Sequence, residues 1–273
     1  MIEAVAAGLF GLLIGSFLNV CIYRLPRDLS VVTPRSHCTA CQRTIAWYDN
    51  IPVASYFVLR GRCRWCRERF SIFYPIVELT TGALFFWSIY HFGWNLPGWK
   101  MCLFSAILVE LIFSDLLSDR ILPDEFTLGG AVVGLLLAAF TPAPSSLSLL
   151  FLPQDWPLWR HSLFEAMLGG FAAAGLMWLT AFIYEKVRGR EGLGLGDVKM
   201  LLTVGIFLGL PGALMTVLFG SLAGAVIGGP YILLSGKDAK TYGLPFGSFL
   251  GVAALFVGLF GDDFLAWYWK LGA

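Results

Sequence analysis

The sequence predicts an all-α polytopic membrane protein with about eight transmembrane helices and one small soluble domain between helices 1 and 2. Of its 273 residues, 58% are hydrophobic and only 14% are charged, which is too apolar for a soluble domain of this size. Several stretches of roughly 18 to 25 residues are almost free of charge, long enough to cross about 30 Å of hydrocarbon. A charged, cysteine-rich segment follows the first stretch and predicts the soluble domain.

Eight segments have the length and apolar composition of membrane spans. In the first, Glu3 stands where a removable signal peptide would carry basic residues, so we interpret this segment as a retained helix. The predicted spans are 2–23, 73–93, 99–117, 126–142, 161–184, 197–212, 213–235 and 244–269. They divide the chain into a first transmembrane helix at 1–23, a soluble domain at 24–72 and a seven-helix membrane domain at 73–273.

The distribution of Lys and Arg predicts the orientation of these spans. If the first span enters the membrane from outside, 16 of the 19 Lys and Arg residues fall on one side. Only Lys100, Arg160 and Lys270 fall on the other. The positive-inside rule therefore predicts that both termini lie outside and that the soluble domain is cytoplasmic.

Four of the six cysteines in the chain form two CxxC pairs, which predict a metal site. Cys38 and Cys41 form the first pair, Cys63 and Cys66 form the second, and 21 residues lie between them. Two such turns can present four thiolates tetrahedrally to Zn²⁺. A domain of about fifty residues buries little apolar surface, so structural zinc would stabilise it. Two disulfides or a redox pair are the alternatives, and a reducing compartment disfavours stable disulfides.

Five arginines crowd the second CxxC pair. Such a cluster can bind anionic lipid headgroups or a charged peptide, or it can simply be the positive inner surface of a membrane protein. Membrane lipid is therefore an expected partner, whereas no nucleic-acid partner is expected. The arginines are Arg60, Arg62, Arg64, Arg67 and Arg69.

Two carboxylates at span ends are the candidate catalytic residues. Asp115 ends the third predicted span and Asp197 begins the sixth, so both are expected near the cytoplasmic boundary. Acids next to hydrocarbon are costly and usually functional. Two adjacent carboxylates share one proton, and such a pair can activate water for peptide hydrolysis. Gly194 and Gly196 would let backbone approach closely beside Asp197.

Other interpretations of these acids stay open at the sequence level. Asp115 and Asp197 could cap helix ends or form ion pairs with Arg120 and Lys199. Asp119 is a second candidate partner for Asp197. A transporter that uses the pair Asp115 and Asp197 to carry protons would show similar acids.

Taken together, these motifs resemble those of the type IV prepilin peptidases, the GxGD intramembrane aspartic proteases. The resemblance extends over nearly the whole chain. The matching segments are GSFLNVCIYRLP at 15–26, YDNIP at 48–52, LRGRC at 59–63, YPIVE at 74–78, ILPD at 121–124, GLGD at 194–197 and LPFG at 244–247.

The resemblance implies that Asp115 and Asp197 form the catalytic pair and that the protein lies in a bacterial inner membrane. The outer side predicted for both termini is then the periplasm. It implies prepilin or pseudopilin precursors as substrates, cut after a Gly that follows a short basic leader. It also implies N-methylation of the new N-terminal residue with S-adenosylmethionine, although no residue of the methyl-donor site can be named from the sequence. An inactive scaffold for pilus assembly is a further alternative.

Overall fold

A computed structural model of the chain describes residues 1–118, 120–141, 146–189, 193–235 and 244–271. In these residues the regular structure is helical, apart from two isolated β-bridges in the soluble domain. The α-helices are α1 (Ile2–Arg24), α2 (Ala54–Val58), α3 (Phe73–Phe92), α4 (Leu96–Leu117), α5 (Asp124–Phe140), α6 (Ser146–Phe151), α7 (Leu158–Arg188), α8 (Leu195–Ala223), α9 (Gly229–Ser235) and α10 (Phe246–Leu271).

The predicted all-α membrane fold is confirmed. Each of the eight predicted spans coincides with helix over most of its length, and the sixth and seventh share α8, which continues through a π-helical segment into α9. By length and composition, four stretches in the described part of the chain could cross a membrane. These stretches are Ile2–Arg27, Leu158–Arg188, Leu195–Ile232 and Phe246–Tyr268.

The chain forms two compact units, and the first comprises residues 1–118. Here α1 packs closely on α3 through glycines on one side of α1. A Cβ atom at Gly11 would lie 2.9 Å from the Cα atom of Gly82, and one at Gly15 would lie 2.7 Å from the Cα atom of Glu78. Small residues let helix backbones approach in this way. The close approach sets Glu78 beside the C-terminal half of α1.

The second unit comprises residues 119–273, in which α8 packs against α5, α7 and α10. Helix α8 is broken at Gly209, where φ is 71° and ψ is 179°, and Pro211 follows. Glycine adopts this backbone conformation readily and proline cannot continue a helical hydrogen-bond ladder. The sequence placed the boundary between the sixth and seventh spans at 212–213, and the structure places it at Gly209.

Helices α7 and α8 touch through backbone at Gly169, which gives a testable prediction. A Cβ atom there would lie 2.5 Å from the carbonyl oxygen of Gly205 and 2.6 Å from the carbonyl carbon of Gly209. Backbone cannot yield as a side chain can, so Gly169→Ala is expected to destabilise the fold by about 1–3 kcal/mol. The control is Gly175→Ala on the same helix, where a Cβ atom meets nothing within 4 Å. Equal midpoints of thermal unfolding in detergent for the two variants would contradict the prediction.

Candidate active site and metal centre

The soluble domain contains two turns of the same design, one after each CxxC pair. In the first turn, the Gln42 N–H donates to the Cys38 carbonyl oxygen at 2.8 Å, and in the second the Arg67 N–H donates to that of Cys63 at 3.1 Å. Gln42 and Arg67 both have positive φ, 59° and 62°. The backbone therefore reverses in the same way after each pair, which directs both pairs of thiols to one point.

The four thiols converge as the sequence predicts. The sulfur atoms of Cys38, Cys41, Cys63 and Cys66 all lie within 4.8 Å of one another. Cys38 and Cys66 are 3.7 Å apart at sulfur, and Cys41 and Cys63 are 4.0 Å apart. A tetrahedral zinc with Zn–S bonds of about 2.3 Å requires sulfurs about 3.8 Å apart. The cluster can hold one metal ion, and all six cysteines of the chain are free thiols.

Two thiols of this cluster, those of Cys63 and Cys66, differ strongly in pKa. Burial raises the pKa of Cys63, but hydrogen bonds from the backbone of Cys66 and Trp65 and from neighbouring thiols outweigh it and bring the pKa to about 7. At Cys66 a backbone hydrogen bond from Glu68 lowers the pKa, whereas burial and three neighbouring thiols raise it to about 12. One thiolate is thus accessible near neutral pH, which is the ligand form that a metal ion requires.

An ion pair supports the second turn. The Arg64 Nε donates to Asp49 Oδ2 at 2.8 Å, and a terminal nitrogen of Arg64 donates to Oδ1. The hydrogen bond from Arg64 holds the pKa of the Asp49 carboxyl below its usual value, with a further Coulomb contribution. Because the folded-state pKa is lowered, the pair stabilises the domain above the ordinary pKa of Asp. This stabilisation is lost as the pH falls through the lowered value.

Asp115 lies in the last turn of α4, and only 5% of it is exposed. The helix ends at Leu117, and the hydroxyl of the next residue, Ser118, donates to the Ile22 carbonyl oxygen at 3.0 Å. This hydrogen bond attaches the end of α4 to α1. Beside Asp115, the Ser114 hydroxyl donates to Glu110 Oε1 at 2.7 Å, and both residues are buried. Asp115 therefore belongs to a buried polar region at the end of an otherwise apolar helix.

Asp197 lies in the first turn of α8 and is partly exposed. The turn opens at Gly194, whose carbonyl oxygen accepts the Asp197 N–H at 3.2 Å. A Cβ atom at Gly196 would lie 3.2 Å from the Leu122 side chain, so the residue is tightly packed there. The neighbour at Gly196 is a side chain, so the expected approach of backbone beside Asp197 stays a prediction.

Lys199 contacts Asp124 at the start of α5. Its Nζ lies 2.7 Å from Asp124 Oδ1. One turn further along α8, the Thr203 hydroxyl donates to the Thr127 carbonyl oxygen. These two interactions attach the first turns of α8 to the first turn of α5. They support the turn that carries Asp197. Lys199, which the sequence suggested as a possible ion-pair partner of Asp197, contacts Asp124.

Two segments of the chain match known protein families. Residues 9–92 match the bacterial peptidase A24 N-terminal domain, and residues 102–229 match the type IV leader peptidase family. This chain belongs to the type IV leader peptidase family. No solved structure matches it.

Similar proteins of the leader peptidase family cover most of the chain. A prepilin leader peptidase/N-methyltransferase of Myxococcus xanthus is 39% identical over 86% of this chain and 64% of its own length. Proteins of the same name from Xanthomonas campestris and Legionella pneumophila are 33% and 32% identical, each over 96% of this chain and over 93% and 92% of their own lengths.

The two matched leader peptidase segments contain all the site residues expected from the sequence. The N-terminal match contains the four cysteines, and the second match contains Asp115, Gly194, Gly196 and Asp197. Asp119, the alternative partner of Asp197, lies outside the described residues.

Two buried charged residues were not assigned a role from the sequence. Arg24 on α1 is 7% exposed and Glu78 on α3 is 8% exposed, and both line one pocket of the first unit. Glu78 is recognisable in sequence only as an acid within an apolar span, and Arg24 only as a basic residue at a span end. Their shared pocket depends on the packing of α1 on α3, which sequence spacing does not reveal.

Proposed function

We propose that this chain removes the leader peptide from prepilin or pseudopilin precursors, with Asp115 and Asp197 as the catalytic pair. Membership of the leader peptidase family is the observation that carries the proposal, because the matched segment contains both acids. The burial of Asp115 and the glycine-opened turn before Asp197 support it. Neither the transporter nor the scaffold hypothesis gains support from the relatives.

The proposed chemistry needs no nucleophilic side chain. The two carboxyls share one proton, because two adjacent carboxylates cannot both ionise cheaply. The ionised carboxylate takes a proton from water as the water oxygen attacks the carbonyl carbon of the scissile bond. The protonated carboxyl donates to the carbonyl oxygen. Collapse of the tetrahedral intermediate, with protonation of the leaving nitrogen, then frees the amine of the mature pilin.

We propose structural zinc as the metal of the four-cysteine cluster. All four thiolates would be ligands, so no coordination position remains for a substrate. The ion would hold the two turns of residues 24–72 together. The membrane helices of 73–273 would then supply the peptidase and α1 would connect the domain to the membrane.

The N-methyltransferase in the names of the relatives suggests a second activity for this chain. We propose that it methylates the new N-terminal amine, with S-adenosylmethionine supplying the methyl group as a sulfonium electrophile. We propose that both activities lie at the cytoplasmic face of the inner membrane, with both termini periplasmic, and the prevalence of Lys and Arg in one set of loops supports this orientation.

Mass spectrometry of a processed substrate tests this function. The purified protein in detergent is incubated with a purified prepilin, with and without S-adenosylmethionine. We expect a new N-terminus directly after the Gly that precedes the apolar helix, and one added methyl group only when the methyl donor is present. An uncut precursor, or a cut elsewhere in the chain, would contradict the proposed peptidase.

A further inference from the structure

The first unit contains a pocket between α1, α3 and the soluble domain. The space between its walls, including the part open to solvent, is about 1050 Å³. Helix α1 contributes a stripe of residues at helical spacing, namely Ser16, Asn19, Val20, Tyr23 and Arg24. From α3 come Tyr74 and Glu78, and the soluble domain contributes, among others, Ile45, Asp49, Val53, Tyr56 and Phe70.

Arg24 gives this pocket a buried positive charge. Its guanidinium donates to the carbonyl oxygens of Ser30 and Pro34, at 2.7 Å and 2.8 Å. These are neutral acceptors, and no carboxylate forms an ion pair with Arg24 among the residues that the structure describes. A guanidinium has five N–H donors, so the side chain retains donors for an anionic group of a ligand.

Glu78 gives the same pocket a buried negative charge. Its Oε2 accepts the Val53 N–H at 2.6 Å, and the Ser16 hydroxyl is within hydrogen-bonding reach. Within the described ranges no Lys or Arg forms an ion pair with it. Val53 has a φ of 61°, which is rare for a β-branched residue. Such strained backbone tends to cluster at functional sites.

Among the described residues, the pocket therefore combines one buried cation, Arg24, and one buried anion, Glu78, neither in an ion pair, with aromatic and apolar walls. Arg62, which also lines it, is exposed. Asp49 also lines it, but its charge is neutralised by Arg64. A polybasic leader peptide would need several free acids, which the lining does not provide. A small zwitterion with a flat aromatic part matches it better.

We propose that this pocket binds S-adenosylmethionine, an inference that rests on the proposed methylation. The α-carboxylate of the ligand pairs with Arg24, while the ammonium group on the same α-carbon and the sulfonium two methylene groups away face Glu78. The adenine ring lies against the aromatic and apolar residues of the soluble-domain wall. The fit rests on two buried charges of opposite sign that form no ion pair with any residue in the described part of the chain.

Residues next to the four-cysteine cluster line the same pocket. His37 and Thr39 flank Cys38, Arg62 precedes Cys63, and all three flanking residues line the pocket. The cysteines themselves do not line it. The two turns that carry the cysteines thus form one wall of the proposed methyl-donor site. The cysteines themselves do not contact the methyl donor.

The test is the dissociation constant of S-adenosylmethionine for the purified full-length protein in detergent, measured by isothermal titration. Glu78→Gln and Arg24→Gln are each expected to raise Kd about tenfold or more, because each removes a charged hydrogen bond to the ligand. Midpoints of thermal unfolding show that the variants are folded. The matched controls are Glu68→Gln and Arg69→Gln, exposed residues outside the pocket lining that are expected to leave Kd unchanged.

The outcomes separate the two proposals. Wild-type binding with an unchanged Kd in Glu78→Gln and Arg24→Gln would overturn the pocket assignment and leave the methyltransferase proposal standing. A wild-type protein that neither binds S-adenosylmethionine nor methylates a cleaved prepilin would overturn the methyltransferase itself.

A second measurement needs no variant and so covers the case in which Arg24→Gln fails to fold. The wild-type protein is irradiated with radiolabelled S-adenosylmethionine, and the labelled peptides are mapped. We expect label within 16–24, 36–39, 45–62 or 70–78, the segments that line the pocket. Label confined to other segments would overturn the assignment.

Discussion

Asp115→Asn and Asp197→Asn are each expected to abolish cleavage of a purified prepilin, lowering kcat/KM by roughly 10⁴-fold or more. Asn has nearly the same shape as Asp but can neither take a proton from water nor donate an acidic proton to the carbonyl oxygen. The two acids act as a unit, so the double variant should be no worse than either single variant by more than a small factor. The measurement is the initial rate of leader removal, followed by mass spectrometry.

Two further substitutions make this experiment decisive. Asp263→Asn changes an exposed carboxylate on α10 and is expected to retain full activity. Asp119→Asn is expected to remain active, since we assign Asp115 as the partner of Asp197. Loss of cleavage in Asp119→Asn together with an active Asp115→Asn would transfer the assignment to Asp119. Activity in all of these variants would remove the aspartic mechanism.

Cys38→Ser and Cys66→Ser are each expected to release the metal and unfold the soluble domain. Structural zinc supplies an apparent binding free energy of about 10–16 kcal/mol in small four-ligand domains, and this is a large contribution for a segment of about fifty residues. Elemental analysis of the purified wild type should find one zinc per chain, and each variant should lose most of it. Limited proteolysis should then cut the variants within 24–72 under conditions that spare the wild type.

The two single cysteines provide the control for the metal experiment. Cys21 on α1 and Cys102 on α4 are buried in the first unit and lie outside the four-thiol cluster. Cys21→Ser and Cys102→Ser should retain one zinc per chain. A wild-type protein without zinc, or full zinc content in Cys38→Ser, would show that the cluster does not hold this metal.

The parts of the fold that could be predicted from sequence are those set by local composition. Apolar length alone located the eight spans, and the spacing of Cys38, Cys41, Cys63 and Cys66 located the thiol cluster. The break in α8 was placed three to four residues late, because the apolar stretch continues on both sides of Gly209. Helices α2 and α6 are only five and six residues long, too short for a hydrophobic period to reveal.

Features that depend on the contact of distant segments could not be predicted. Nothing near Gly15 in sequence indicates that its missing side chain makes room for the backbone of Glu78. The contact between Lys199 and Asp124 joins residues 75 positions apart, so a local pattern does not show it. For the same reason, the sequence could name the two acids proposed for peptide cleavage but no residue of a methyl-donor site.

The break at Gly209 bears on whether the chain crosses the membrane an even or an odd number of times. As one straight helix, the 38-residue stretch Leu195–Ile232 would be about 57 Å long at about 1.5 Å per residue. This is almost twice the hydrocarbon thickness of about 30 Å. If the stretch bends at Gly209 to cross twice, it joins the six other spans predicted from the sequence to make eight crossings, and the two chain ends share one side of the membrane. On this prediction of eight crossings, the backbone break at Gly209 sets the side of the membrane on which the last helix ends.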